Sequence, residues 1–497
     1  MFFGINLLGS TNNTIGGTGA ARNIISNNSL EGILIQNGSS GNTIKGNYIG
    51  TNINGTAALG TQPIGILLNN NLSVPVTIGG TGAGQGNLIS GNTSYGLQQL
   101  NPTAGTTIVG NYIGTASDGS STLSSGSQQY GVYISSSPGT IIGGSASGSR
   151  NVISANTGYG IYATGATSNG TVIKGNYIGL GTDGVTFISG SSQDYGIYFT
   201  NVGAGNTIGG TVSGEGNLIS GQNNGAGSAA GFYCTSATAI GSHTVVGNII
   251  GAQKDGSTYV ASNLQHYGVY ISTSSDNSIG GTNPGAKNII SGNETYGIYI
   301  TGSTSTGNYI QGNYIGANSS GAASVSSAQN YGITLASNAT INYIGNSVSG
   351  GGNLISGNGT AGIYMTGTTA TTGNYIFGNI IGAQKDGSTE MGSNAQKNGI
   401  FLSNGRNNII GGSTSLFRNI ISGNLTDGIE IGANASGNVI KGNYIGLASD
   451  GASVIAGSSQ DYGIYVNQPG TNLLTTIGGT TAGEGNVISG NTLYGIN

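Results

Sequence analysis

Side chains able to do acid–base chemistry are scarce in this chain. Its 497 residues include 11 Lys and Arg, 15 Asp and Glu, and two His. Nine of the charged residues fall between positions 385 and 441, which is the one enriched region. Glycoside hydrolysis needs two carboxyl groups flanking the bond, whereas elimination needs a base and a cation. Glu430 and Asp427 are therefore the candidate catalytic residues.

The spacing of these two carboxylates argues against a joint role. We expect Glu430 to face outward from a strand, and Asp427 lies three residues earlier. Successive side chains of a strand alternate between its two faces, so residues three apart are predicted on opposite faces. Scattered, solvated charge is the ordinary explanation for such a cluster. The sequence leans against an enzyme on these grounds.

Metal ligation has little support in the sequence. Cys234, His243 and His266 fall close together along the chain, but Cys234 occupies a position predicted to point into a core, and both histidines fall in turns. Calcium needs six to eight oxygen ligands, and the recurring Asp-Gly turns offer one carboxylate each. We interpret those aspartates as turn residues and expect neither a metal nor a cofactor. The turns are Asp118-Gly119, Asp183-Gly184, Asp255-Gly256, Asp386-Gly387 and Asp450-Gly451.

An aromatic residue recurs two positions after a regularly spaced glycine. If these segments are strands, this position faces outward and the rings form a stripe. Carbohydrates and protein partners both favour such surfaces, although tyrosine also suits a strand surface through packing alone. The stripe is the predicted site for a ligand or partner. Its members are Tyr133, Tyr162, Tyr198, Tyr233, Tyr270, Tyr299, Tyr364, Phe401 and Tyr465.

The elements that position these residues are set by a repeat. The triplet Asn-x-Ile occurs fifteen times, preceded by an apolar residue that is Ile in every copy except one, where we assign Val246. The Asn members are Asn23, Asn47, Asn87, Asn111, Asn151, Asn176, Asn217, Asn248, Asn288, Asn313, Asn353, Asn379, Asn419, Asn443 and Asn486. A glycine followed by an aliphatic or aromatic residue marks each copy as well, and we call it the landmark glycine. Examples are Gly131, Gly160, Gly196 and Gly428.

Three short apolar segments per interval predict three strands, because each is too short for a helix and is flanked by Gly or Asn. Such coils bury their apolar faces by stacking on one another. The fold class predicted is all-β, a right-handed parallel β-helix of about 15 coils. Short and long intervals alternate, so the repeat unit is two coils. We expect residues 1–497 to form a single domain that is a fragment of a longer chain. Stacked Asn side chains should form a hydrogen-bonded ladder along the axis.

These coils resemble the parallel β-helix repeats of the pectin-lyase-like superfamily, and the resemblance covers the whole chain. It implies the fold but leaves function open, because that superfamily includes polysaccharide lyases, hydrolases, adhesins, fibres and scaffolds. Our main hypothesis is a non-enzymatic structural or binding rod from a secreted or cell-surface adhesin, fibre or filament. The alternative is a polysaccharide-binding or polysaccharide-degrading protein. Ice binding ranks third, because the outer position holds Tyr and not Thr.

Composition limits the partners. Net charge is −4, the sequence pI is about 5.0 and no basic cluster occurs, which argues against nucleic acid. No apolar run approaches the length of a membrane helix. No signal peptide is visible, so an extracellular location follows only from the resemblance. Glycans are the expected ligands, and other copies of the chain, end to end or side by side, are the expected protein partners.

Overall fold

The computed structural model describes the whole chain except residues 1, 70–73, 103, 191–192, 224, 226, 240, 261–264, 326–328, 368–370, 393–395 and 468–473. It is an all-β parallel solenoid of about 14 turns with three parallel sheets, which confirms the predicted fold class. The chain forms two compact units, Met1–Ser236 with Val260–Gln265, and Ala237–Tyr259 with His266–Asn497. Among the described residues, no helix is long and apolar enough to span a membrane.

Each coil contributes one strand to each of three sheets, here named A, B and C in chain order. Sheet A carries the landmark glycines and has the longest strands. In the first unit its strands are Ile5–Leu8, Glu31–Gln36, Ile64–Asn69, Tyr95–Leu100, Tyr130–Ser135, Tyr159–Thr164 and Tyr195–Thr200, and Ala230–Ala239 includes residues of both units. In the second unit they are Tyr267–Ser274, Tyr296–Thr301, Tyr331–Ala336, Ala361–Thr366, Asn398–Leu402, Asp427–Ile431, Tyr462–Val466 and Tyr494–Ile496.

Sheet B carries the apolar residue that precedes each Asn-x-Ile triplet. Its strands in the first unit are Thr14–Gly16, Thr43–Lys45, Thr77–Gly79, Thr107–Val109, Ile141–Gly143, Val172–Lys174 and Thr207–Gly209. In the second unit they are Thr244–Val246, Ser278–Gly280, Tyr309–Gln311, Tyr343–Gly345, Tyr375–Phe377, Ile409–Gly411, Val439–Lys441 and Thr476–Ile477. Our assignment of Val246 as the inward residue is wrong, because Val245 pairs with Ile279 and is the fully buried one.

Sheet C carries the Ile of the triplet on strands of two residues. In the first unit these are Ile24–Ile25, Tyr48–Ile49, Leu88–Ile89, Tyr112–Ile113, Val152–Ile153, Tyr177–Ile178 and Leu218–Ile219. In the second unit they are Ile249–Ile250, Ile289–Ile290, Tyr314–Ile315, Leu354–Ile355, Ile380–Ile381, Ile420–Ile421, Tyr444–Ile445 and Val487–Ile488. Thr371–Thr372 and Gly405–Arg406 form a separate two-stranded sheet. The short 3-10 helices are Gly19–Ala21, Ser147–Ser149, Pro284–Ala286 and Ser415–Phe417.

The core consists of aliphatic residues stacked in register. Ile108 on sheet B pairs with Ile78 and Ile142 in adjacent coils, and all three are fully buried. Burying such a side chain stabilises the fold by about 1.5–3 kcal/mol. The landmark glycine is required sterically, since a Cβ at Gly131 would lie 2.5 Å from the carbonyl oxygen of Gly160. Coil therefore packs on coil through backbone at this point.

The predicted asparagine ladder is present. Asn87 donates from Nδ2 to Oδ1 of Asn111 at 2.9 Å, and its backbone N–H donates to the same oxygen at 3.0 Å. Nδ2 of Asn87 also donates to the Ile44 carbonyl at 2.8 Å. Each amide is thereby satisfied inside the protein, which an isolated buried amide would not be.

A second ladder alternates Asn and Gln at the entrance to sheet A, and we did not predict it. Asn92 donates to Gln128 at 3.2 Å, and Gln128 donates to Asn156 at 3.1 Å. Short coils supply Asn, except for Gln222, and long coils supply Gln, so this ladder follows the two-coil repeat. The recurring Ser-Gly-Asn of the short coils was the signal for half of it.

Candidate functional site

The outer surface of sheet A carries two columns of aromatic side chains, which we name the aromatic face. In strand Tyr130–Ser135, Tyr130 and Tyr133 are partly exposed, whereas Gly131 and Val132 between them are both buried. The rings of Tyr130 and Tyr133 contact each other with centroids 5.7 Å apart. Positions one before and two after the landmark glycine therefore share one face. We predicted only the second column, although the recurring Tyr-Gly dipeptide was the signal for the first.

The rings within each column stack along the solenoid axis. In the first column Tyr130 stacks on Tyr95 and Tyr159, with centroids 4.8 and 5.1 Å apart. Because neighbouring rings cover one another's faces, edges and hydroxyl groups face the solvent. The second column stacks in the same way through Tyr133–Tyr162 at 5.3 Å, Tyr162–Tyr198 at 5.2 Å and Tyr198–Tyr233 at 4.8 Å.

In the second unit the ring stack passes from the first column to the second where one coil has a threonine in place of the second-column tyrosine. Thr334 occupies the second-column position and is fully buried. Tyr364 of the next coil instead stacks on Tyr331 of the first column at 4.8 Å, and then on Phe401 at 5.2 Å. A continuous aromatic path is kept although the ring at position 334 is missing.

All residues of the predicted stripe lie on the aromatic face and are partly exposed. Their role as ligand contacts remains a prediction. These residues are Tyr133, Tyr162, Tyr198, Tyr233, Tyr270, Tyr299, Tyr364, Phe401 and Tyr465.

Crowding on the aromatic face raises the pKa of some of its tyrosines further above neutrality. Burial, together with the neighbouring tyrosines Tyr130 and Tyr195, raises the pKa of Tyr159 to about 12. Burial and the adjacent Tyr299 likewise raise the pKa of Tyr296 to about 12. At neutral pH these phenols are uncharged groups that both donate and accept hydrogen bonds.

Asp427 and Glu430 lie on the same face, and our prediction that alternation separates them is wrong. They occupy the two outward positions of strand Asp427–Ile431, where other coils place tyrosines. The alternation slips by one residue at the landmark glycine, because Gly428 and Ile429 are buried in succession. Two residues three apart thereby lie on the same outer side of the strand, where Glu430 is partly exposed and Asp427 is buried.

The surroundings of the two carboxyl groups favour their neutral forms. Burial raises the pKa of Asp427 to about 7, with further contributions from the charges of Glu430 and Asp461. Burial also raises the pKa of Glu430, opposed by side-chain hydrogen bonds from Asn398 and Asn467. Nδ2 of Asn398 donates to Oε2 of Glu430 at 2.6 Å. A carboxyl group that titrates near neutrality can serve as a general acid.

The residues weighed for metal binding are not brought together. Cys234 is buried in a sheet A strand, His243 is buried before a sheet B strand, and His266 packs against the rings of Tyr267 and Tyr296. Within the part of the chain that the structure describes, no group of three His, Cys, Asp or Glu is placed to hold a metal ion.

The Asp-Gly segments are hydrogen-bonded turns, as predicted. Oδ1 of Asp118 accepts from the backbone N–H groups of Ser120 and Ser121 at 2.8 and 2.9 Å. Burial pushes the pKa of Asp118 upward, but these bonds and that from the Ser121 hydroxyl outweigh it and lower the pKa. Gly119 lies against the ring of Tyr112, where a Cβ would sit 3.0 Å from the ring. The turn therefore packs against its own coil.

The chain matches no protein-family model and no curated protein. Several solved structures are similar to it at low sequence identity. The periplasmic alginate epimerase AlgG is 12% identical, with a TM-score of 0.36 over 90% of this chain and 78% of that one. The A-module of the Azotobacter vinelandii mannuronan C-5 epimerase AlgE4 is 11% identical, with a TM-score of 0.34 over 94% and 88%.

The Dettilon tailspike protein is 16% identical, with a TM-score of 0.32 over 83% of this chain and 54% of that one. The likeness to all three is one of fold. The three sheets themselves define the class of this fold as a parallel β-helix.

Proposed function

We propose that this protein is a non-enzymatic β-helical scaffold of the adhesin or fibre type, located outside the cell or at its surface, which binds glycans through the aromatic face. The observation that carries this proposal is the pair of tyrosine columns, stacked and partly exposed over successive coils. Ring–ring stacking fixes these side chains before a ligand arrives, so little conformational entropy is lost on binding.

The chemistry of the face favours neutral, hydroxyl-rich saccharides. Neutral phenols present donors and acceptors, and the exposed ring edges offer apolar contact. Asp194, Asp427, Glu430 and Asp461 lie at or beside the outward positions of sheet A strands, and carboxyl groups, whether neutral or charged, give no electrostatic attraction to anionic chains.

The test is binding to a panel of neutral glycans by a variant that keeps the stack but removes hydroxyl groups. We expect Tyr133→Phe, Tyr162→Phe and Tyr198→Phe together to weaken binding about tenfold, because three hydrogen-bonding groups are lost. The matched control replaces Tyr309, Tyr343 and Tyr375 by Phe, since these rings stack at 4.7 and 5.0 Å on sheet B. Equal losses in both variants, or no binding by the unmodified protein, would reject the proposal.

A second candidate function, polysaccharide cleavage, is favoured by the shared face of Asp427 and Glu430 and by the pKa of about 7 for Asp427. The measurement is release of reducing ends and unsaturated products from acidic and neutral glycans between pH 5 and 8. Activity lost in both Asp427→Asn and Glu430→Gln, but retained in Asp194→Asn, is the expected pattern. Asp194 is a fitting control because burial alone raises its pKa to about 6. Product formation no higher than the blank excludes this candidate.

Association of copies, end to end or side by side, is a further part of the proposal. It is tested by light scattering across a range of protein concentrations, and a constant monomer mass would reject it.

A further inference from the structure

A basic residue recurs every fourth coil at the corner between sheets B and C. Each one is the residue that ends a 3-10 helix and immediately precedes a ladder asparagine. In the intervening short coils a glycine stands at the same position. The basic residues are Arg22, Arg150, Lys287 and Arg418, and the glycines are Gly86, Gly216, Gly352 and Gly485.

Every one of these cations lies over a tyrosine ring of the following coil. The guanidinium carbon of Arg22 is 3.8 Å from the ring centroid of Tyr48, and Nζ of Lys287 is 3.7 Å from that of Tyr314. The other two pairs are Arg150 with Tyr177 and Arg418 with Tyr444, each at 4.0 Å. Contact with the ring face fixes the cation while the N–H groups at its edge stay directed away from the ring.

In the first unit, the alternation of cation and glycine creates a groove of ≈ 320 Å³. Arg22 and Arg150 line it, with Gly86, Tyr48 and Tyr112 between them. Gly86 cannot be enlarged, because a Cβ there would collide with the carbonyl oxygen of Gly110. Four coils separate the two arginines, which corresponds to about 19 Å at roughly 4.8 Å per coil.

The second unit contains an equivalent groove of ≈ 280 Å³. Lys287 and Lys385 provide its cations, and Tyr314, Gly352 and Leu354 line it between them. Gly352 is constrained in the same way as Gly86, since a Cβ would collide with the carbonyl oxygen of Gly378. Each unit thus contains a groove with two cations, although Lys385 precedes an Asp-Gly turn and does not belong to the recurring series.

Neither groove is lined by an acidic residue. Elsewhere in the repeat, lysines are neutralised: Lys174 pairs with Glu215 at 2.7 Å, and Lys441 pairs with Glu484 at 2.6 Å. The positions of Glu215 and Glu484, just before the glycine, are held by Gln85 and Gly351 in the coils that form the two grooves. The grooves therefore keep a net positive charge on a protein whose formal charge is −4.

We propose that these two grooves bind a saccharide chain through its oxyanion groups, carboxylate or sulfate. A guanidinium group forms paired hydrogen bonds with an oxyanion, and the tyrosine beside it offers apolar contact to a sugar ring. Arg150 is held further by Nε donating to the Gly175 carbonyl at 3.3 Å, a bond that does not use its terminal nitrogens. These sites are separate from the aromatic face and select anionic chains, whereas that face favours neutral ones.

The test compares dextran sulfate, hyaluronan and neutral dextran as probes of the full chain. Arg22→Gln with Arg150→Gln, and Lys287→Gln with Lys385→Gln, should each weaken binding of an anionic probe about tenfold, and all four together more strongly. The matched control is Lys174→Gln with Lys441→Gln, which removes the same charge from ion pairs outside the grooves. Binding should weaken with added salt.

Two further variants keep the result interpretable. Arg22→Lys with Arg150→Lys retains charge and should retain much of the binding, which separates loss of a ligand contact from loss of folding. The triple Tyr→Phe variant of the aromatic face should bind anionic probes normally, so failure here is distinct from failure of the proposed function. Binding of dextran sulfate alone would indicate that the grooves recognise sulfate, and binding of hyaluronan alone would indicate carboxylate. Binding of neither, or equal loss in the lysine control, would overturn the inference.

Discussion

His243 shows how a single position can place an ionisable group inside the polar interior of the solenoid. In adjacent coils the same position is held by Asn206 and Asn277, and the backbone N–H of His243 donates to Oδ1 of Asn277 at 3.2 Å. Only 1% of His243 is exposed, and this burial lowers its pKa to about 4 from the ordinary value of 6.5. The imidazole is therefore neutral in the folded protein at physiological pH.

This lowered pKa predicts a loss of stability in mild acid. The unfolded chain takes up a proton as pH falls below 6.5, whereas the folded chain does so only near pH 4. The stability present above pH 6.5 is thus lost progressively between these two values. At pH 5 the loss should be about 2 kcal/mol.

The measurement is urea unfolding of the unmodified protein and of His243→Asn at pH 7.5 and pH 5. We expect the substitution to reduce the stability lost between the two pH values by that amount. Asn169→Ala, at an exposed site and without a titratable group, is the control and should leave the pH dependence unchanged. An identical pH dependence in all three proteins would contradict the burial argument.

At the scale of the element, each ladder asparagine is a shared hydrogen-bonding group and not an independent one. Nδ2 of Asn111 donates to Ile78 and to Asn151, while its Oδ1 accepts from the side chain and the backbone of Asn87. Removing one amide therefore leaves partners in two coils unsatisfied.

We predict that Asn111→Ala lowers the free energy of unfolding by about 3 kcal/mol, because buried donors and an acceptor lose their partners. Chemical denaturation measures this difference directly. The control is Asn169→Ala at an exposed position, which should change stability by less than about 0.5 kcal/mol. A similar small effect for Asn111→Ala would show that water replaces the ladder amide.

The ladders also show how far sequence reasoning reached. The Asn-x-Ile ladder was predictable because its spacing is fixed within short strands. The Gln members of the second ladder also have a fixed spacing, since Gln stands three residues before the landmark glycine in the long coils, as Gln128 does before Gly131. Their pairing with Asn92 and Asn156 was not predictable, because these amides meet only after the coils stack and the longer Gln side chain compensates for a different backbone position.

For the whole molecule, contacts between nearest coils dominate, so a disturbance should stay local. In such a solenoid each repeat is stabilised by its own contacts and those with its neighbours. We predict that Asn111→Ala speeds amide hydrogen exchange in residues 77–153, while residues 195–219 of the same unit keep their protection. Hydrogen-exchange mass spectrometry resolves these peptides. Uniformly faster exchange across the first unit would indicate cooperative unfolding instead.

The two candidate binding surfaces also belong to this scale, because each needs several coils. The aromatic face and the grooves are built from side chains that repeat every one to four coils. A ligand long enough to span several coils would gain affinity from repeated contacts.

The sequence alone determined the fold, the register of the inward Ile residues and the outward placement of one tyrosine column. These features could be predicted because strand alternation and coil stacking are both periodic, and a periodic pattern can be recognised in a linear sequence. Only the tertiary structure decided that Asp427 and Glu430 share a face, since the alternation slips at the landmark glycine. The grooves likewise could be found only in the tertiary structure, because Arg22 and Arg150 are 128 residues apart in the chain but only four coils apart in the solenoid.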